Sequence, residues 1–195
     1  MQSYLLTENY FANLVKKENL NKKSSMFYNI KEYELNDFPK LEMENLELYA
    51  CRTYQIKMAV QYYEDHVRET GDFVFEITKP LTDINYHEYN INLNRKDALL
   101  LRVRVRSRHS NSIKYFVYVL INKSLSSISS IVGHACTCKV GNRVIGCCSH
   151  VMLIIRYFGF AKYLNTIRLP TFNFSSIFEN DWSSDSDDNE VTESD

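Results

Sequence analysis

Residues 98–121 read ALLLRVRVRSRHSNSIKYFVYVLI, and the fold turns on this stretch. Ala98–Val105 passes from an apolar start into strict alternation. RSRHSNS at 106–112 is a polar turn, and Tyr115–Ile121 is aromatic and β-branched. Two such runs around a short polar connection predict an antiparallel hairpin. Downstream, a third run at Ile128–Ile131 leads through Gly133 into four cysteines. SHVMLIIRYFGFAKYL at 149–164 follows and is apolar around most of its circumference, as a buried helix requires.

Upstream, Phe73, Phe75 and Ile77 alternate as a short strand would. Tyr54, Ile56, Met58, Val60 and Tyr62 also fall at alternate positions. They predict a half-buried strand, with a helix of the same length as the alternative. Leu41, Met43, Leu46 and Leu48 have short helical spacing after the DFPKL break at 37–41, where Pro39 disfavours helix in the residue before it. Tyr4, Leu5, Tyr10, Phe11 and Leu14 mark a polar helix in the first forty residues. The expected class is α+β with a mostly antiparallel sheet. Residues 1–35 form a helical segment and connector, 36–170 the domain, and 179–195 a disordered acidic tail.

With 195 residues, 45% of them apolar, the chain can bury a core without disulfides, and no apolar run approaches a membrane span. A basic start followed by an apolar stretch, the mark of a secretory leader, is missing from MQSYLLTENYF. The net charge of −1 averages two unlike parts. Glu179–Asp195 holds eight acidic and no basic residues, leaving 23 basic against 16 acidic in the first 178, a net of +7. A basic body suits a polyanionic partner, and the tail would screen it or simply keep the chain soluble.

Five cysteines, at 51, 136, 138, 147 and 148, are an odd number, and four fall within thirteen residues. That does not read as a disulfide framework. The stretch 136–150, CTCKVGNRVIGCCSH, pairs Cys136-x-Cys138 with Cys148-x-His150 across nine residues. Zinc takes tetrahedral thiolate and imidazole donors, and structural sites fill all four positions from protein. Gly141, Asn142 and Gly146 in the spacer permit the reversal that returns the second pair to the first. Three other readings compete with a single structural Zn²⁺. Cysteines can be plain buried apolar residues, a Cys–His pair can be a nucleophile, and two thiols can form a redox couple. The nucleophile lacks an evident orienting group, and the redox couple lacks C-x-x-C spacing. Cys147 directly precedes a ligand and is expected to pack elsewhere. His134 is expected at the surface or behind a ligand.

C-x-C-x(n)-C-x-H on a strand–turn–helix ending resembles the SWIM-type zinc finger, here at about 113–160. FPKL at 38–41, TYQIKMAVQYYEDH at 53–66, SRH at 107–109 and GNRVIGCCSH at 141–150 resemble the SWIM-bearing C-terminal regions of animal DDE-superfamily transposon proteins. The resemblance implies that Cys136, Cys138, Cys148 and His150 ligate zinc, and it implies an intracellular, nuclear setting. Only about 35 residues precede the resembling region, too few for the RNase-H-like nuclease of such proteins. A non-catalytic accessory module is therefore expected, with no small-molecule substrate and no membrane.

Arg102, Arg104, Arg106 and Arg108 alternate with Leu101, Val103, Val105 and Ser107. On a strand the four guanidiniums share one face over roughly 20 Å. The expectation is a solvated row, either ordinary surface or a track for nucleic-acid phosphates, extended by Lys114, Lys139, Arg143 and Arg156. Its replacement by Gln would leave folding nearly unaffected. DNA or another nucleic acid is then one partner class, and a protein partner of a zinc-stabilised module is the other.

Overall fold

A computed structural model describes residues 9–31, 35–51, 53–66, 74–78, 84–107, 112–141 and 146–164. The expected tail at 179–195, Arg108 and Arg143 lie outside them. Among the described residues, five strands form one antiparallel sheet in chain order: β1 (Phe27–Ile30), β2 (Val74–Thr78), β3 (Ala98–Arg106), β4 (Lys114–Asn122) and β5 (Ile131–Cys136). Four helices accompany it: α1 (Tyr10–Lys17), α2 (Met43–Ala50), α3 (Thr53–His66) and α4 (Ser149–Gly159). The class is α+β, as expected.

The hairpin at β3–β4 is the centre of the sheet, with Leu101 opposite Val119 and Val103 opposite Val117. Leu99, Leu101, Val103 and Val105, with Val117, Val119 and Ile121, face a layer made of α2, α3 and α4. The apolar helix beginning at Ser149 is buried there through Val151–Ile155 and Phe158. It ends at Gly159 and passes into a 3₁₀ turn at Ala161–Tyr163. Leu41, just past the Pro39 break, donates its N–H to Gly159 O at 2.7 Å, tying that break to the end of α4.

Residues 53–66 form a helix rather than a strand. Ile56, Ala59, Val60 and half-buried Tyr63 follow the i, i+3, i+4, i+7 rule, while Tyr54 is 63% exposed. The alternation was produced by an exposed tyrosine and concealed by a small core residue, Ala59. Gln55, Lys57, Ala59 and Gln61 at the intervening positions are all good helix formers.

The second sheet face is covered too. Phe11, Leu14 and Val15 of α1, together with Leu20, Ile84, Tyr86, Ile91 and Leu93, pack on Leu100, Tyr118, Leu120 and Ala135. Residues 9–31, within the 1–35 segment expected as a helix and connector, supply a covering helix and an edge strand to the same sheet.

This second layer overturns the solvated arginine row at its first member. Arg102 is 1% exposed. Opposite it in register stands Glu76 of β2, and the two form a forked pair, Nε to Oε2 at 2.7 Å and Nη2 to Oε1 at 2.9 Å. Nη1 donates to Leu20 O at 3.0 Å, and the guanidinium lies 3.7 Å from the Phe27 ring centroid. Arg104 reaches the same carboxylate only at 3.5 Å and keeps 36% of its side chain exposed. Arg106 is half-buried opposite exposed Lys114. Arg156 is no extension of the row, being buried within α4.

Arg102→Gln strands a buried carboxylate and should destabilise the fold by about 3–5 kcal/mol in urea unfolding. Arg104→Gln should cost less than about 1 kcal/mol. Equal small losses would mean that the ion pair does not hold β2 on β3.

Candidate metal centre

Cys136 is the last residue of β5, where it pairs with Val117. Thr137 prolongs the pairing by one step: its N–H donates to Phe116 O at 3.0 Å, and its Oγ1 accepts from Phe116 N–H at 2.9 Å. The side chain between the two cysteines is therefore turned to the sheet, and the period of two leaves Cys136 and Cys138 on one side. The chain then turns sharply. Gly141 N–H donates to Cys138 O at 3.1 Å and to Cys138 Sγ at 3.0 Å, while Cys138 N–H lies 3.5 Å from Cys136 Sγ. A Cβ at Gly141 would sit 2.9 Å from Cys136 Cβ and 3.2 Å from Cys138 Sγ, so the turn requires a residue without a side chain.

The second pair arrives on α4. Cys148 is its N-cap, in extended conformation, and accepts the Met152 N–H at 3.0 Å. His150 lies in the first turn. Burying the helix therefore places both donors. Gly146, which precedes the pair, has φ +84°, a conformation that costs a side-chain-bearing residue free energy.

The ligand atoms of Cys136, Cys138, Cys148 and His150 all lie within 4.8 Å of one another. The three thiols are buried and the imidazole is half-buried. A tetrahedral ion with bonds of about 2.0–2.3 Å needs donors roughly 3.5–3.8 Å apart. Cys136 Sγ and His150 Nδ1, at 3.9 Å, nearly meet that already. These four can hold one metal ion. Their mutual electrostatics point the same way. Hydrogen bonds from Cys136 and Cys148 pull the Cys138 thiol far down, while the bond to Cys138 drives Cys136 far up. Cys148 is held at about 11, because Cys138 and burial outweigh the lowering bond from Cys136. Thiols packed this closely resist ionising together, and a divalent cation among them would let all three do so.

Neighbours that the sequence did not disclose hold the site. Tyr62 of α3 meets the His150 ring edge-on at 5.2 Å, and Tyr115 of β4 lies across it at 5.2 Å, so the imidazole stands between two aromatic rings. Tyr62 was hidden by the strand reading of its segment, and nothing in Tyr115's strand run marks it as a histidine neighbour. His134 stands behind the second pair: Nε2–H donates to Gly146 O at 3.1 Å, and Nδ1 accepts from the Tyr49 hydroxyl. Burial brings its pKa down to about 4, which keeps the ring neutral, as this pattern requires. Cys147 is buried and outside the four-atom cluster.

Compared with protein-family models, curated proteins and solved structures, the chain matches none.

Serine at Cys136, Cys138 or Cys148 should abolish stoichiometric metal binding, measured by elemental analysis of the purified chain. Cys147→Ser should retain about one ion per chain. Equal loss in Cys147→Ser and Cys148→Ser would reverse the assignment of these neighbours.

Proposed function

We propose that this chain is a non-catalytic, zinc-stapled module of the SWIM type, derived from a transposon protein and acting on nucleic acid in the nucleus. The observation that carries the reading is the donor set: three thiolates and one imidazole converge from a strand end and a helix start. Soft sulfur donors favour zinc over calcium or magnesium. Four protein donors also leave no coordination position for an activated water, which favours a structural role over a catalytic one. The strand–turn–helix carrying C-x-C and C-x-H is the arrangement on which the SWIM resemblance rests.

Nucleic-acid contact rests on the basic body and on the end of the β3–β4 pair where β3 stops and β4 begins. Arg106 and Lys114 stand directly opposite each other there, and Arg104 lies two residues along β3. Arg102 takes no part, because Glu76 already neutralises it. A second reading, docking of a protein partner, draws on Leu48, Tyr54 and Val140, all more than half exposed.

Fluorescence anisotropy with unrelated DNA and RNA duplexes, titrated with salt from about 50 mM, separates the two. Arg106→Gln with Lys114→Gln should weaken binding alike for unrelated sequences. On DNA it should lower the log–log salt slope by about 0.9 for each lost phosphate contact. A parent chain that binds no duplex at about 50 mM salt would leave the protein-docking reading in its place.

A further inference from the structure

Two of the five cysteines, Cys51 and Cys147, have no part in the four-donor cluster. Cys51 closes α2 in the left-handed conformation, φ 58° and ψ 4°, with its N–H on Leu48 O at 3.3 Å. Glycine or asparagine serves that position with less strain, so a thiol there is not explained by the backbone. Its side chain lies over the metal-binding turn. A Cβ on Gly146 would stand 3.4 Å from Cys51 Sγ and 3.1 Å from Ala50 O. The end of α2 is therefore seated on the peptide that leads into Cys147. One member of the pair is exposed and the other buried.

We propose that Cys51 and Cys147 form a peroxide-responsive disulfide that staples α2 to the metal-binding turn while the four zinc donors stay in place. Peroxide meets exposed Cys51 first. The Cys51 thiolate attacks one peroxide oxygen, the O–O bond breaks, and the departing hydroxide takes up a proton to leave as water. This yields a sulfenic acid on Cys51. The Cys147 sulfur then attacks the Cys51 sulfur, the S–O bond breaks, and a second water leaves with the Cys147 proton. Two thiols have lost two electrons to the peroxide, and a dithiol reductant returns them. Cys51 thus supplies Cys147 with a role that its position beside a zinc ligand does not.

The test treats the zinc-loaded full chain with one equivalent of hydrogen peroxide, then alkylates under denaturing conditions. The expected product is an intact chain about 2 Da lighter before alkylation, joining tryptic peptides 41–52 and 144–156. Fragmentation between Cys147 and Cys148 should assign the sulfur to Cys147, with about one zinc per chain retained. Cys51→Ser, at an exposed position, and Cys147→Ser should each abolish the link without loss of zinc. Three results would overturn the proposal: Cys51 advancing to sulfinic acid while Cys147 stays alkylatable, a link to Cys136, Cys138 or Cys148 with release of zinc, or a link that survives in Cys51→Ser.

Discussion

Contact between α4 and the centre of the sheet is the constraint on which the rest depends. Both ligand pairs are fixed to the two elements it joins, one at the end of β5 and one at the start of α4. Val151–Ile155 and Phe158 are buried, each large side chain worth about 1.5–3 kcal/mol relative to exposure. That burial sets Cys148 and His150 beside Cys136 and Cys138. A bound metal would add its binding energy to that packing, and the aromatic pair around His150 limits where the ring can go.

Much of this was legible in the sequence, for identifiable reasons. The β3–β4 hairpin and α4 are long and strongly patterned, and the four donors follow a spacing with few other uses. What was hidden depended on partners far away in the chain. β1 is only four residues, FYNI, and becomes a strand because β2 pairs with it. The helix α3 imitated a strand because Tyr54 is apolar yet exposed and Ala59 is small yet buried. Tyr62 and Tyr115 approach His150 from different elements, and no local pattern unites them.

The arginine at the middle of β3 shows how a one-layer picture misreads a charge. Alternation correctly put Arg102 on the face opposite Leu101 and Val103. It could not show that α1 and the segment at 84–93 cover that face as well. Once covered, the guanidinium needs a carboxylate, a carbonyl and an aromatic ring, and Glu76, Leu20 and Phe27 supply them. Sliding β2 by one residue along β3 would turn Glu76 to the other face and leave a buried cation alone. The pair therefore specifies register more than it adds stability.

Strand order across the sheet is the order of synthesis, and this bears on how the chain reaches its fold. Each of β3, β4 and β5 pairs with the strand just before it, and α4 follows at once. Contacts this local close with little loop entropy and form quickly. Joining β1 to β2, by contrast, means closing a loop that contains α2 and α3. The hairpin, the knuckle and its helix thus make the natural nucleus, with the N-terminal edge closing last. In kinetic terms, substitutions in β3 and β4 belong to the folding limb, and those at Phe27 and its neighbours to the unfolding limb.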